Sequence, residues 1–172
     1  MWKIGSNGMK WLKILHIFLV VLFLGGILSS FALTVNLDLS NFEDVYLTYK
    51  SLGVISDHIV KVGAQGIILL GLIYGIFTRW EFIRYKWLAT KWLLFIAQTF
   101  IGILVVDRLR SVNLALLDAG KIAALSDPVF IQNHSIRQAV VVAQIIITLA
   151  ALILSVSKPW KNSKKTRSST SV

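Results

Sequence analysis

Two ionisable residues, His16 and Lys91, lie inside apolar stretches of the chain and are the first candidates for chemistry. A charged or titratable side chain in a hydrocarbon environment is unfavourable unless it is paired, hydrated or bound to a ligand. A neutral histidine can ligate haem iron, and a lysine ammonium can hold a porphyrin propionate or stabilise a quinone anion. Gln98 shares a helical face with Lys91, so we include all three residues in one predicted cofactor site.

A second set of polar residues surrounds His58 and His134, near the opposite ends of their apolar stretches. Bis-histidine haem ligation needs two imidazoles at similar depth, which makes this pair the alternative metal site. The polar neighbours of the two histidines in sequence are Lys61, Gln65, Arg137 and Gln138. Water can solvate histidines at helix ends, so interfacial histidines without a metal explain the same pattern.

Both candidate sites have a simpler explanation in which no cofactor is bound. Lys91 can extend its ammonium to the lipid headgroups, and His16 can hydrogen-bond a backbone carbonyl. Gln65, Gln98 and Gln144 are isolated along the sequence, and we predict that they form hydrogen bonds between helices. The residues alone leave both explanations open.

The elements that must position these residues are four apolar stretches. The chain has 172 residues, of which 56% are hydrophobic and 15% charged, whereas soluble domains carry about 25% charged residues. The stretches cover about 14–35, 58–78, 87–106 and 139–157, and helices of this length cross a hydrocarbon core about 30 Å thick. We predict an all-α, polytopic membrane protein: a four-transmembrane-helix bundle over residues 1–158, with a basic tail over 159–172.

The cations are distributed unevenly along the chain. Twelve lie in the N-terminal flank, the 78–91 connection and the tail, together with one acid, Glu81. The other two connections, with their helix ends, hold six cations and seven acids. This pattern predicts a multi-pass protein of the cell membrane with both termini in the cytoplasm. The tail is predicted to contact anionic lipids, and the absence of a nucleic-acid-binding motif predicts no nucleic acid partner.

Local patterns predict how the helices begin, end and approach one another. Ser40-Asn-Phe-Glu43 is a capping-box pattern that predicts a short surface helix within the 36–55 connection. The polar segment after the third span is predicted to continue as helix, as a lid, until Ser126-Asp127-Pro128 ends it. Close helix contacts are predicted at three sets of small residues, which are Gly25 with Ser29, Gly26 with Ser30, and the GLIYG segment.

Several chemistries are excluded or disfavoured by residue type. The chain has no cysteine, which excludes disulfides, thiolate metal sites and cysteine nucleophiles. Its only methionines are Met1 and Met9, so copper transport by soft ligands has little support. No glycine-rich phosphate loop or HExxH motif is present.

The segment WLKILHIFLVVLFLGGILSSF resembles the first helix of a group of small bacterial membrane proteins. The group includes the HemJ-type protoporphyrinogen oxidases, the CopD-type copper-resistance membrane domains and related four- or five-helix families. The shared features are a Leu-His pair followed nine residues later by Gly25-Gly26, and an aromatic residue followed by a lysine in YKWLATKWLLF. The resemblance implies that His16 is a haem ligand and that Lys91 is its companion.

These observations lead to one functional prediction and one alternative. The first is an integral membrane protein that binds b-type haem and acts in electron transfer or in porphyrin or quinone oxidation. The alternative is a non-enzymatic membrane subunit or transport accessory without a cofactor. The predicted partners are the lipid bilayer, a quinone or porphyrin, and a second copy of the chain or a larger membrane complex.

Overall fold

The computed structural model describes residues 5–77 and 86–157, and no β-strand occurs among them. The predicted aromatic connection around 78–85 and the basic tail over 159–172 lie outside the described residues. Four helices are long enough and apolar enough to cross a membrane. The predicted all-α class and the number of long apolar helices are therefore confirmed.

Two of the four long helices are continuous helices with a π-helical segment in the middle. The first long helix is α1 (Ser6–Val35). The second consists of α2 (Phe42–Ile55), a π segment (Ser56–Val60) and α3 (Lys61–Phe77). The third consists of α4 (Lys86–Ile101), a π segment (Gly102–Asp107) and α5 (Arg108–Gly120). A 3-10 turn (Lys121–Ser126) leads to the fourth, α6 (Pro128–Ser157).

The helices form an antiparallel bundle in which each long helix has two neighbours. α1 packs against α3 and α6, α4 and α5 both pack against α6, and α2 packs against α5. We call the end that holds residues 6, 77, 86 and 157 the proximal end. The distal end holds the connections 36–41 and 121–127.

The bundle has apolar residues on its surface and polar residues in its interior. Leu93, Leu104 and Ile153 are 70%, 62% and 67% exposed, respectively. The buried polar residues include Gln98, Gln144 and Thr148 on α4 and α6, together with a buried arginine described below. Such a distribution is expected of helices surrounded by lipid, where polar groups turn toward other helices.

Glycines bring α1 and α3 into close contact. A Cβ at Gly63 would lie 2.8 Å from the backbone nitrogen of Phe23, and a Cβ at Gly26 would lie 2.6 Å from the side chain of Val60. These positions have no room for a larger residue because backbone or core atoms occupy the space. The Gly26–Ser30 pair therefore lies at a helix contact, as predicted.

Of the other two predicted small-residue contacts, one is absent and one is formed. No described residue comes within 4 Å of a Cβ placed at Gly25, so the Gly25–Ser29 pair makes no helix contact there. In the GLIYG segment, Gly71 lies at a close helix contact, as predicted, because it receives the indole ring of Trp92 from α4. At Gly63 the same long helix approaches the backbone of α1, because this face turns toward α1.

The start of the second long helix differs from the predicted capping box. Asn41, not Ser40, caps α2: its side-chain oxygen accepts hydrogen bonds from the backbone N–H groups of Glu43 and Asp44 at 3.1 and 3.4 Å. Ser40 is held in the preceding turn, where its backbone N–H donates to Asp38 at 2.9 Å and lowers the pKa of that carboxyl group. The predicted surface helix is also not separate, because no proline interrupts the chain between α2 and α3.

The remaining distal segments are helical and packed. The helix after the third span continues to Gly120, as predicted, and the chain turns at Asp127. α5 is not a lid, because it packs along α2 around a second hydrophobic core. α6 begins at Pro128 and so extends beyond the apolar span predicted from 139, because proline is favoured at a first helical position and Asp127 accepts a hydrogen bond from the N–H of Val129 at 2.8 Å.

Candidate functional site

A layer of charged residues separates two hydrophobic cores. The core nearer the proximal end is formed by buried residues of α1, α3 and α6: Leu19, Phe23, Ile27, Ala64, Ile67, Leu70 and Val141. The distal core is formed by buried residues of α2, α5, the 3-10 turn and α6: Val45, Tyr49, Leu117, Ala124, Leu125 and Phe130. Arg137 follows Phe130 by seven residues and precedes Val141 by four on the buried face of α6, which places it between the two cores.

Arg137 is the most unusual member of this layer. Its side chain is 2% exposed. Among residues 5–77 and 86–157, no hydrogen-bond acceptor contacts its Nε or Nη1 atom. Burying a guanidinium group is costly unless hydrogen-bond acceptors or an opposite charge replace its hydration, so this arginine is poised to receive an acceptor.

Two further cations and one carboxylate surround the same space. Lys61 Nζ contacts Asp57 Oδ1 at 2.6 Å and Asp107 Oδ2 at 2.8 Å. Asp107 also accepts a hydrogen bond from Ser56 Oγ at 2.6 Å, and the Nε atom of Arg110 lies 3.9 Å from it. Asp107 is thus shared by Lys61, Ser56 and Arg110, and Arg137 is not among the partners it contacts.

Gly53 provides the space in which Arg110 lies. A Cβ at this position would come 2.8 Å from Arg110 Nη1 and 3.4 Å from its Cζ. The glycine on α2 therefore lets the guanidinium group of α5 lie flat against the second long helix. This packing directs a second arginine toward the charged layer.

A cavity of about 100 Å³ lies within this layer. It is lined by three cations, Lys61, Arg110 and Arg137, and by one carboxylate, Asp107. Its amide and hydroxyl lining consists of Ser30, Ser56, Gln65, Gln98, Thr99 and Gln144, and the rest of its wall is largely aliphatic. The cavity thus combines a net positive charge with amide and hydroxyl groups that can form hydrogen bonds. This is a suitable environment for a small anionic group.

The wall of the cavity formed by α4 and α6 is held together by hydrogen bonds between these two helices. Gln144 Nε2 donates to the backbone oxygen of Gln98 at 3.0 Å, and Thr148 Oγ1 donates to Gln98 Oε1 at 3.1 Å. This confirms that Gln98 and Gln144 join two helices. The three glutamines are not isolated from one another, however, because Gln65 lines the same cavity.

The predicted His16 site lies nearer the proximal end, apart from this cavity. The ring of His16 meets Tyr74 edge to face with centroids 6.5 Å apart, and no described residue hydrogen-bonds its Nδ1. Lys91 donates from Nζ to Ser155 Oγ at 3.1 Å and lies close enough to act electrostatically on His16. Gln98 belongs to the charged cavity and not to this pair.

The histidines of the alternative site have different environments. Tyr49 Oη contacts His134 Nδ1 at 2.9 Å, and Gln138 Nε2 lies 3.4 Å from His134 Nε2. Both ring nitrogens of this buried residue therefore face protein groups, while His58 is exposed on the Ser56–Val60 segment. Within the described ranges, no group of three metal-ligating side chains occurs. The bis-histidine site stays a prediction that this arrangement does not favour.

Three of the polar residues predicted around His58 and His134 meet in the cavity, and the two histidines do not line it. Lys61, Gln65 and Arg137 were grouped with the two histidines by their spacing, and these three residues share the cavity. Arg110 was missed, because it lies in a polar segment that resembles a solvated surface helix. A burial signal for Arg137 was present in sequence, since Phe130 and Val141 occur at helical spacing on either side of it.

Comparisons with family models, with curated proteins and with solved structures find no match for this chain.

Proposed function

We propose that this chain is an integral membrane protein that binds a small anionic group in the charged cavity beside Arg137. The observation that carries the proposal is a 2% exposed arginine side chain lining a cavity, with Nε and Nη1 contacted by no acceptor in the described part of the chain. The orientation that we propose is the one predicted from charge, with both termini in the cytoplasm.

The charge balance of the cavity supports an anion rather than a cation. Three cationic side chains and one carboxylate, Asp107, line it. Lys61 is already paired with Asp57 and Asp107, so the excess positive charge comes from the guanidinium groups of Arg110 and Arg137. A phosphate or carboxylate group offers several oxygen acceptors, and a guanidinium group can bind two of them in parallel. Binding of such a group would supply acceptors to the buried guanidinium of Arg137.

The test compares Arg137→Gln with Arg108→Gln. Arg108 is an exposed arginine that does not line the cavity in the described residues, so it controls for loss of one positive charge. Thermal unfolding of the full chain is followed by tryptophan fluorescence in a neutral maltoside detergent, with inorganic phosphate or dodecyl phosphate added. We expect at least one of these anions to stabilise the wild type and Arg108→Gln, and not Arg137→Gln.

The behaviour without added anion separates binding from a purely structural role. Arg137→Gln removes a buried charge without removing a described hydrogen bond from Nε or Nη1, so we expect its stability to lie within about 1 kcal/mol of the wild type or above it. Equal stabilisation of both variants by the anions, or a large loss of stability in Arg137→Gln alone, contradicts the proposal.

We infer a second candidate function, b-type haem binding at His16, from the buried Nδ1 atom of that residue. Two features support this candidate: His16 Nδ1 has no hydrogen-bond partner among the described residues, and the Lys91 ammonium lies within electrostatic range of it. A bound haem would supply one-electron chemistry suited to electron transfer or to porphyrin or quinone oxidation. His16 would hold the iron, and Lys91 would pair with a propionate.

The absorption spectrum of the purified protein tests this second candidate. Haem binding at His16 predicts a Soret band that is lost in His16→Ala and kept in His58→Ala, where the exposed histidine is the matched control. A colourless protein from haem-replete cells contradicts it. Retention of the band in His16→Ala with its loss in His58→Ala and His134→Ala moves the ligands to the distal pair.

A further inference from the structure

We infer that the anionic group bound beside Arg137 is the phosphate headgroup of a membrane lipid, which reaches the cavity laterally between the second and third long helices. This inference rests on the proposed anion site and names the source of the anion. It follows from where the cavity opens, how deep it lies and how much it can hold.

The cavity opens on one face of the bundle. On the α1 and α6 sides, its lining residues Phe23, Ile27 and Val141 are all buried. On the opposite side, Gln65 of the second long helix and Ile103 of the third line the cavity and are exposed, Ile103 by 49%. We call the gap between Gln65 and Ile103 the lateral window.

The lateral window has a boundary at each end. Toward the distal end, the contacts of Ser56 and Lys61 with Asp107 join the two helices. Toward the proximal end, the indole of Trp92 lies against Gly71. From residue 61 to residue 71 the second helix rises about 15 Å, which is the length of the window along the helix axis.

The surface around the window is apolar. On the second long helix, the exposed residues near Gln65 are Val62, Leu69 and Leu72. On the third, Phe100 and Leu104 are 59% and 62% exposed beside Ile103. A molecule that lies across this opening therefore has hydrocarbon contacts outside the cavity and cationic contacts inside it.

The charged layer lies at the depth of a lipid headgroup. Lys61 is 16 residues from Phe77 and Arg137 is 20 residues from Ser157, which correspond to about 24 and 30 Å from the proximal end. When the proximal helix ends are placed at one boundary of a hydrocarbon core about 30 Å thick, Arg137 lies at the opposite boundary and Lys61 about 6 Å inside it. The phosphate of a lipid in the distal leaflet lies at the same level.

The size of the cavity favours a headgroup over a whole cofactor. Its volume is about 100 Å³, less than that of an engineered cavity of about 150 Å³ that holds one benzene molecule. A phosphate fits this space, whereas acyl chains do not and must remain in the bilayer. The guanidinium groups of Arg110 and Arg137 line this space and suit the several oxygens of a phosphate, while Lys61 is already paired with Asp57 and Asp107.

The experiment measures thermal unfolding of the full chain in maltoside detergent with three added probes. These are dioleoyl phosphatidic acid, dioleoyl phosphatidylcholine and water-soluble glycerol phosphate at equal concentration. We expect phosphatidic acid to raise the unfolding temperature by about 5 °C at saturating concentration, and the other two to have little effect. The shift should be lost in Arg137→Gln and kept in Arg108→Gln.

A window variant tests lateral access separately. In Ile103→Trp a bulky ring fills the opening, and we expect the shift with phosphatidic acid to disappear. Leu93→Trp places the same ring at a 70% exposed position on α4 that does not line the cavity. This control variant should keep the full shift.

The outcomes distinguish this inference from the proposed function. If glycerol phosphate raises the unfolding temperature as much as phosphatidic acid does, and Arg137→Gln abolishes both shifts, the anion site is retained. The inference that the anion belongs to a lipid is then overturned. A phosphatidic acid shift that persists in Ile103→Trp overturns lateral access. If no probe, inorganic phosphate and dodecyl phosphate included, produces an Arg137-dependent shift, the anion site and the inference fail together.

Discussion

At the residue scale, Tyr49 provides a hydrogen-bond partner for two other buried polar residues in the distal half of the bundle. Its hydroxyl group contacts His134 Nδ1 at 2.9 Å and accepts a hydrogen bond from Asn113 Nδ2 at 3.0 Å. Asn113 Nδ2 also donates to the backbone oxygen of Phe130 at 3.0 Å, and its Oδ1 accepts from Asn133 at 2.9 Å. This network joins α2, α5 and α6 above the charged layer, so His134 has a structural role in it.

Tyr49→Phe should destabilise the protein by about 1–3 kcal/mol, because the buried partners His134 and Asn113 each lose a contact and cannot reach water. Unfolding by sodium dodecyl sulfate, followed by tryptophan fluorescence, measures the change. Tyr46→Phe is the matched control: Tyr46 is only partly buried, and its hydroxyl bonds Asp118 at 2.9 Å in an exposed contact, so its loss should cost no more than about 0.5 kcal/mol. Equal effects in both variants would show that the network does not stabilise the distal core.

At the element scale, both helices that flank the lateral window contain a π segment at the same height. Ser56–Val60 and Gly102–Asp107 face each other, and the bond from Ser56 to Asp107 connects them. A π segment adds a residue to a turn and often occurs at functional sites. Here it places Ser56 and Asp107 beside the cavity while α2 and α5 continue beyond the charged layer.

The contact between α1 and α3 depends on the absence of a side chain at Gly63. Gly63→Ala should destabilise the bundle by about 1–3 kcal/mol, because the new methyl group meets the backbone of Phe23 at 2.8 Å and the helices must separate. The same denaturation assay measures this loss. Gly25→Ala is the control, since its Cβ meets no described atom within 4 Å, and it should leave stability unchanged or raise it by up to about 1 kcal/mol. If Gly25→Ala is destabilised and Gly63→Ala is not, the faces that α1 and α3 turn toward each other differ from those described here.

At the scale of the whole molecule, polar and apolar residues are arranged in layers along the bundle axis. An apolar core occupies the proximal part, the charged cavity lies above it, and a second core closes the distal end. With the membrane placement proposed above, the helices extend beyond the charged layer and out of the bilayer. The distal core would then stand outside the bilayer as a small helical cap.

The predicted orientation can be measured by labelling single cysteines, because the natural chain has none. Ser40→Cys lies in the distal connection and Ser163→Cys in the basic tail. A membrane-impermeant maleimide should label Ser40→Cys in intact cells and Ser163→Cys only after permeabilisation. The opposite pattern would invert the topology and place the charged cavity at the cytoplasmic interface.

Much of the architecture follows from sequence through local physics. Apolar length predicts four helices, and the uneven cations predict their orientation. The Gly26–Ser30 contact and the turn at Asp127 follow from small-residue spacing and from proline chemistry. Each of these features depends on residues close together in the chain, so the order of residue types along the sequence is sufficient to predict it.

The tertiary structure alone decided which polar residues meet. Arg137, Arg110, Lys61 and Gln98 come from three long helices, and their convergence depends on helix rotation and on the two π segments. A π segment shifts every later side chain around the helix axis, and no local residue pattern predicted it. Sequence therefore determined how many helices there are and how they are predicted to cross the membrane. Which faces they turn toward one another, and so where the candidate site lies, was decided by packing between residues far apart in the chain.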